Sequence, residues 1–275
     1  WEVCRECKFG ELFMIEKIYI PTLGRAGKQI TWDCMPDFIK DITVLVVQPH
    51  EKDFYGLKPI MVLPEDNMGI TRTRRWIWEK AGKIKYGMFD DDLKFMVRTP
   101  NGKKSKKPLS DNDWKTLMTT VDSWLDEVSF SGFRQGNMPP WELPFTDNRS
   151  VTCAFFFNGN DLPLSHNLDW SLEFCEDIHL VLQLLEKGYS NRIWDKYVYI
   201  SDQMADGGCN TTRTLEAVNA NHQKLIEFHP NYVDWNGLSD TKLGKGFKKI
   251  KVSWMKSYSD NIAANIRKWR QAYDE

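Results

Sequence analysis

Residues 41–49, DITVLVVQP, form an unbroken apolar run rich in β-branched side chains. A strand with no polar face is covered on both sides, as in a parallel sheet between helices. Three similar runs surround it. KIYIPT (17–22) breaks at Pro21, PIMVLP (59–64) is bounded by prolines, and KIKYGMF (83–89) runs into three aspartates. GITRTRRWIWEKAG (69–82) reads as a helix between two glycines. Strands alternating with helices predict an α/β fold with a mostly parallel central sheet. Ligands of such sheets bind outside the carboxyl ends of the strands. Asp90, Asp91 and Asp92 stand at such an end.

Three adjacent carboxylates repel one another, so a counter-charge is expected. Carboxylate pairs hold hard cations such as Mg²⁺ or Mn²⁺, with a diphosphate beyond. The alternative is a solvated acidic turn; the buried strand before it favours a site.

Composition bounds the rest. The chain of 275 residues is 41% hydrophobic, enough for one large domain or two small ones, and excludes a wholly disordered chain. Its formal net charge of -1 excludes a polycation, so a nucleic-acid partner requires a local basic patch. Twelve tryptophans exceed what core filling needs and offer stacking surfaces. No apolar run approaches a membrane span. The cysteines fall at 4, 7, 34, 153, 175 and 209, and only Cys4 and Cys7 have metal-ligand spacing, with no second pair. Reduced thiols in a cytoplasmic protein are expected. Met14 precedes the first strand directly, so residues 1–13 are expected to stand outside the fold.

Beyond residue 98 the expectations are a lysine-rich loop (99–110) and a helix over 111–128 capped by Asp111 or Asn112. An irregular Pro- and Trp-rich stretch covers 133–145. A strand follows at 150–159, then a helix over 172–189 ending at Gly188, a strand at 193–201, a helix over 211–228 and a last helix over 260–274.

Arg74 shares a helix face with Ile70 and Ile77, which turns a permanent cation inward. It meets either a ligand diphosphate or an aspartate in a buried ion pair. Glu176 and Asp177 open the 172–189 helix. Carboxylates there complement the helix dipole, and the same placement aims one at the sheet edge, where it is a candidate base for a hydroxyl proton.

The ordered set IPTLGR, VVQPHE, GITRTRR, GMFDDDLKF, FFNGN and EDIHLVLQLLEKGY resembles metal-dependent GT-A glycosyltransferases over roughly residues 15–205. GMFDDDLKF, GFRQGN and MADGGCN look like the glycosyltransferases associated with Tet/JBP-type pyrimidine oxygenases, which include the base J glucosyltransferase and bacteriophage relatives. The resemblance implies transfer of a sugar from a nucleotide-sugar, a UDP-sugar, to a 5-hydroxymethylpyrimidine in DNA. It implies Asp90 and Asp92 as ligands of Mn²⁺ or Mg²⁺, with Asp202 as a third and His222 and His229 as its rivals. It implies Asp177, beside Glu176, as the base of an inverting reaction. Arg25, Gln48, His50, Arg74 and Asp91 would contact the donor. Gly159, Asn160, Gly207, Gly208, Cys209 and Arg134 would line the acceptor side.

Two basic patches suit DNA: Lys103, Lys104, Lys106 and Lys107, and KLGKGFKKIKVSWMK (242–256), which carries Lys245, Lys248, Lys249, Lys251 and Trp254 with no acid. Either is otherwise a solvated surface. Residues 14–240 are expected to form the glycosyltransferase domain and 241–275 a basic helical extension. A metal-dependent nucleotidyltransferase and a non-catalytic DNA-binding protein of the same fold are the rival readings.

Overall fold

A computed structural model of the chain describes residues 13–99, 106–201, 214–239, 246 and 248–273. A ten-stranded sheet forms its centre, in the order β3-β2-β1-β4-β9-β7-β10-β5-β6, with β8 paired to β10. The first four strands are the apolar runs: β1 (Ile15–Pro21), β2 (Thr43–Val47), β3 (Ile60–Val62) and β4 (Lys85–Phe89), all parallel. The other half is mixed. β9 (Ala154–Asn158) runs antiparallel to both β4 and β7 (Phe130–Gln135), and β7 is parallel to β10 (Asn191–Ser201). β5 (Leu93–Arg98), β6 (Lys106–Pro108) and β8 (Phe145–Asp147) are antiparallel to their partners.

Both faces are covered. Helix α4 (Asp111–Trp124) lays Trp114, Leu117, Met118 and Val121 on one face, beside the single-turn helices α1 (Ile30–Asp33) and α2 (Asp37–Lys40). Helix α3 (Gly69–Ala81) and helix α5 (Glu176–Glu186) cover the other through Ile77, Trp78, Leu180, Val181, Leu184 and Leu185. The Phe155–Phe157 run serves both cores: Phe156 joins the first, and Phe155 and Phe157 the second. Each such buried ring contributes roughly 1.5–3 kcal/mol of transfer free energy.

The cap of α4 is Ser110, not Asp111 or Asn112. Its Oγ accepts from the Asp113 N–H at 3.2 Å, and Asp113 Oδ2 accepts from the Ser110 N–H at 3.0 Å. This reciprocal pair satisfies two groups instead of one. Helix α3 does run between two glycines, with Gly69 at φ 74° and Gly82 at φ 63°. Helix α5 begins at Glu176, four residues later than the sequence pattern predicts, because Cys175 adopts a left-handed φ of 63°.

An outer layer packs on α5. Leu182 faces Leu225 of helix α6 (Leu215–Phe228) and Val233 of β11 (Val233–Leu238). β11 pairs antiparallel with β12 (Lys248–Val252), so the lysine-rich stretch begins as a strand and only then becomes helix α7 (Trp254–Tyr273). The expected boundary at 240/241 falls between two paired strands. Trp254 and Tyr258 pack against the second core, and Asn261 Nδ2 donates to the Glu186 carbonyl at 2.6 Å.

Candidate active site

The three aspartates form the turn from β4 to β5 at the carboxyl edge of the parallel strands. Thr31 of α1, wholly buried, clasps this turn. Its Oγ1 donates to the Asp90 carbonyl at 2.6 Å and accepts from the Leu93 N–H at 2.8 Å, and its N–H donates to the Asp91 carbonyl at 3.1 Å. From the other side the Asp90 N–H donates to the Cys153 carbonyl at 2.7 Å.

Two buried arginines face the carboxylates. Arg25, in the loop after β1, pairs with Asp91 and lies 3.3 Å from Asp92. Arg74 lies between Asp90, at 2.7 Å, and Glu176, at 2.8 Å. Helix α3 brings the guanidinium from below and α5 brings Glu176 from its first turn. Thr71 Oγ1 ties the two segments by donating to the Leu172 carbonyl at 2.5 Å. Only 3% of Arg74 is exposed, and among the described residues its Nε has no hydrogen-bond partner.

Five carboxylates (Asp90, Asp91, Asp92, Glu176 and Asp177) gather around two guanidinium groups. Their protonation reflects the excess. Burial raises the Asp91 carboxyl to about 6 against the pull of Arg25. Burial, then the Asp90 charge, raises Asp92. Burial and the Asp177 charge raise Glu176 against Arg74. Arg74 is held charged more firmly than usual: burial works against its charge, and Asp90, Glu176 and Asp177 overcome it. The side chains of Asp90 and Asp92 are 28% and 16% exposed. Two oxygen-donor carboxylates, adjacent to surplus negative charge and open to solvent, fit a hard divalent cation. Among the described residues no third His, Cys, Asp or Glu completes a metal-holding group with them.

Other expected residues divide. Gln48 is buried and its Oε1 accepts from the Asn67 N–H at 2.8 Å, while His50 Nδ1 lies 2.6 Å from Asp66. Asp177 Oδ1 accepts from the Ile178 N–H at 2.7 Å. Arg134 ends β7 at the same sheet edge as the triplet. Asp202, Gly207, Gly208, Cys209, Lys103, Lys104 and Lys245 lie outside the described residues.

Gly159 and Asn160 are not at this edge. β9 runs antiparallel to β4 with Ala154 beside Phe89 and Asn158 beside Lys85, so the residues after β9 reach the amino end of β4. Gly159 is glycine for packing: a Cβ there would stand 2.1 Å from the Gly82 carbonyl oxygen. The segment that meets the triplet is the one before β9, at Cys153. His222 and His229 are also engaged elsewhere. His222 Nδ1 lies 2.6 Å from the Lys248 carbonyl. His229 is buried in a relay, its Nε2 2.7 Å from His179 Nδ1 and its Nδ1 2.5 Å from Glu186, with Asp169 at 3.1 Å from His179 Nε2. Lys106 and Lys107 belong to β6, and Lys106 Nζ donates to the Gly136 carbonyl at 2.9 Å.

Sequence reasoning missed Thr31 and Glu51. Glu51, buried, accepts from the Gly24 N–H at 2.6 Å and the Tyr55 hydroxyl at 3.3 Å, fixing the loop that carries Arg25. The adjacent VVQPHE motif held the signal for Glu51. Nothing local marked Thr31.

The carboxylate–arginine cluster stands at the carboxyl edge of an α/β sheet, where enzymes of this architecture bind their ligands. The family model described as TET-associated glycosyltransferase matches residues 16–208, and the chain belongs to that family. It is a glycosyltransferase, which displaces both rival readings. The chain is 23% identical over 254 residues to the Beta-glucosyl-HMC-alpha-glucosyl-transferase of Enterobacteria phage T2, spanning 85% of this chain and 89% of the relative. The protein of that name from Enterobacteria phage T6 gives the same identity and coverage. Among solved structures, S. aureus TarS 1-349 in complex with UDP-GlcNAc superposes with a TM-score of 0.49 at 13% identity, over 78% of this chain and 67% of TarS.

Proposed function

We propose that this GT-A-type enzyme transfers a sugar from a UDP-sugar to a hydroxyl on a 5-hydroxymethylpyrimidine of DNA. One observation carries the donor side: the buried Arg74, fork-shaped, with its Nε unpartnered, at an acid-lined sheet edge. A guanidinium in that position suits the oxygens of a departing diphosphate. The phage relatives, named for HMC, support the acceptor.

Asp90 and Asp92 would hold Mn²⁺ or Mg²⁺, which when bound supplies Lewis-acid stabilisation of the diphosphate. Arg25 and Glu51 order the loop beside the donor. Arg74 takes up charge as the bond from the anomeric carbon to the diphosphate oxygen breaks and its electron pair goes to that oxygen. Asp177 accepts the proton of the attacking hydroxyl, as the new carbon–oxygen bond forms with inversion.

The relatives' name favours a second reading. An alpha-glucosyl product from an α-linked nucleotide donor requires retention, and "Beta-glucosyl-HMC" places the accepting hydroxyl on a sugar already attached to the base. The product decides between them. Hydroxymethylated DNA, with and without β-glucosylation, is incubated with a panel of UDP-sugars and Mn²⁺. Nucleoside mass spectrometry reads the transfer, and NMR reads the anomeric configuration. No mass gain on either DNA would end the DNA-base reading. An α-linked product would end inversion and the base role of Asp177.

A further inference from the structure

Arg149 is a cation without an anion. It sits between β8 and β9, half-buried, and among the described residues no carboxylate comes within ion-pair distance of it. Its Nε is buried with no hydrogen-bond partner. Burying that one N–H without an acceptor is unfavourable, and natural folds pair such groups. The neighbouring side chains show what it waits for. Its guanidinium carbon lies 6.0 Å from the centre of the Trp141 ring, and that of Arg134 lies 4.3 Å from the same ring. Arg134 is anchored by Asp195 at 2.9 Å, which also receives Arg98 at 3.2 Å and the Trp141 N–H at 2.9 Å. Thus one buried carboxylate serves Arg98 and Arg134, and among the described residues none is left for Arg149. Glu142, next in sequence to Trp141, is exposed and forms no ion pair among the described residues.

The position is as telling as the charge. Gly132 of β7 pairs with Phe155 of β9, and Phe89 of β4 pairs with Ala154. Arg134 therefore lies level with Asp90, two strands away, about 10 Å at the usual strand spacing. Arg149 leaves the backbone beside Asn191, level with Phe130 at the amino end of β7, and its side chain reaches back to the Trp141 ring that Arg134 also faces. From that ring to the triplet is a reach suited to a phosphate flanking a nucleotide whose base enters the site.

We propose that Arg149, held with Arg134 against Trp141, binds a backbone phosphate of the acceptor DNA strand beside the target nucleotide. The proposal rests on the DNA-acceptor reading above. Trp141 orients the two guanidinium groups by cation–π contact, and Arg149 offers its free donors to the phosphate oxygens.

The test titrates a labelled hydroxymethylated duplex at several salt concentrations against wild type, Arg149→Gln and Arg149→Lys. The Gln variant should bind about tenfold more weakly, and its slope of log affinity against log salt should fall by about 0.9, one phosphate contact. The Lys variant should recover most of the slope. UDP affinity, read in parallel, reports the donor side. A wild-type slope in a folded Gln variant overturns the role of Arg149 while leaving the DNA acceptor intact. Wild type that binds DNA with no salt dependence overturns both. Arginine-selective modification of wild type with and without DNA needs no variant: Arg149 should be protected, and full labelling in the complex counts against the proposal.

Discussion

Arg74 Nη2 stands 2.7 Å from Asp90 Oδ1 while its Nη1 stands 2.8 Å from Glu176 Oε1, so one guanidinium joins the carboxyl edge of β4 to the first turn of α5. The two carboxylates come from different elements, Asp90 from the turn after β4 and Glu176 from the first turn of α5. Their common counter-ion sets the distance between the donor half of the site and the helix that bears Asp177.

Replacing Arg74 tests that coupling. Arg74→Met leaves the half-buried Asp90 and Glu176 close together without a cation. Breaking one partner of a buried pair typically costs about 3–5 kcal/mol. Chemical denaturation should show a loss of that order, with transfer abolished. Arg74→Lys keeps the charge but replaces the planar fork, whose two ends meet two different carboxylates, with a single point charge, so it should retain most of the stability and little of the turnover. Equal turnover in Arg74→Lys and wild type would remove the fork from the mechanism.

Asp92→Asn should separate stability from activity in the opposite sense. Asp90 and burial already raise the Asp92 carboxyl. Deleting its charge relieves repulsion, so the melting temperature of metal-free protein should hold or rise. Transfer should be lost. Mn²⁺ should raise the melting temperature of wild type, as a ligand of the native state does, and leave the variant unmoved. A melting temperature that falls by several degrees without metal would make Asp92 a structural partner of Arg25.

Much of this site was legible before the structure. The parallel half of the sheet was readable because β2, β4 and the Ile18–Pro21 end of β1 are covered on both faces and therefore largely apolar. Arg74 pointed inward because Ile70 and Ile77 share its face. The missed elements have physical reasons. β5 alternates buried and open positions directly after a charge cluster, and β7 carries Gly132 in place of a β-branched residue. α1 and α2 are single turns without a periodic signal. Strand direction is not a local property, which is why Gly159 was expected on the acceptor side of the site while antiparallel β9 carries it to the other edge of the sheet. The lysines of β12 masked a period of two: Ile250 and Val252 turn inward while Lys249 and Lys251 are exposed.

Acid should expose the histidine relay behind α5. Burial, then the neighbouring His229, lowers His179 to about 4. An unfolded histidine titrates near 6.5. Between these values the unfolded chain binds the proton and the native one does not, so stability is full above about 6.5 and is lost as pH falls toward 4. The loss approaches about 3 kcal/mol at its lower limit. The raised carboxyls of Asp91 and Glu176 act in the reverse sense, so the comparison has to be differential. Urea midpoints of wild type and His179→Gln at pH 7 and pH 4.5 give it. The variant should be less stable at pH 7 and should lose less on acidification. Parallel pH curves for the two proteins would show that His179 binds its proton equally in the native and unfolded states.

The β11–β12 pair carries a ranked set of lysines rather than a uniform patch. In sequence the stretch carries no acid, but pairing sets Asp234 opposite Lys251. Lys248 Nζ lies 5.0 Å from the Trp235 ring centre, its charge partly occupied by that face. Lys249 is exposed, shares the outer face of β12 with Lys251 and has no carboxylate directly across the ladder. If this face carries DNA, Lys249→Gln should reduce the salt slope of binding by about 0.9, the full value of one contact on duplex DNA. Lys251→Gln should reduce it less, because Asp234 already offsets that charge. Lys248→Gln should also fall short of the full value. Fluorescence titrations of the three single variants at several salt concentrations order them. Three identical wild-type slopes would leave the hairpin as a solvated surface and pass its role to Lys106 and Lys107 on β6, an edge strand of the main sheet.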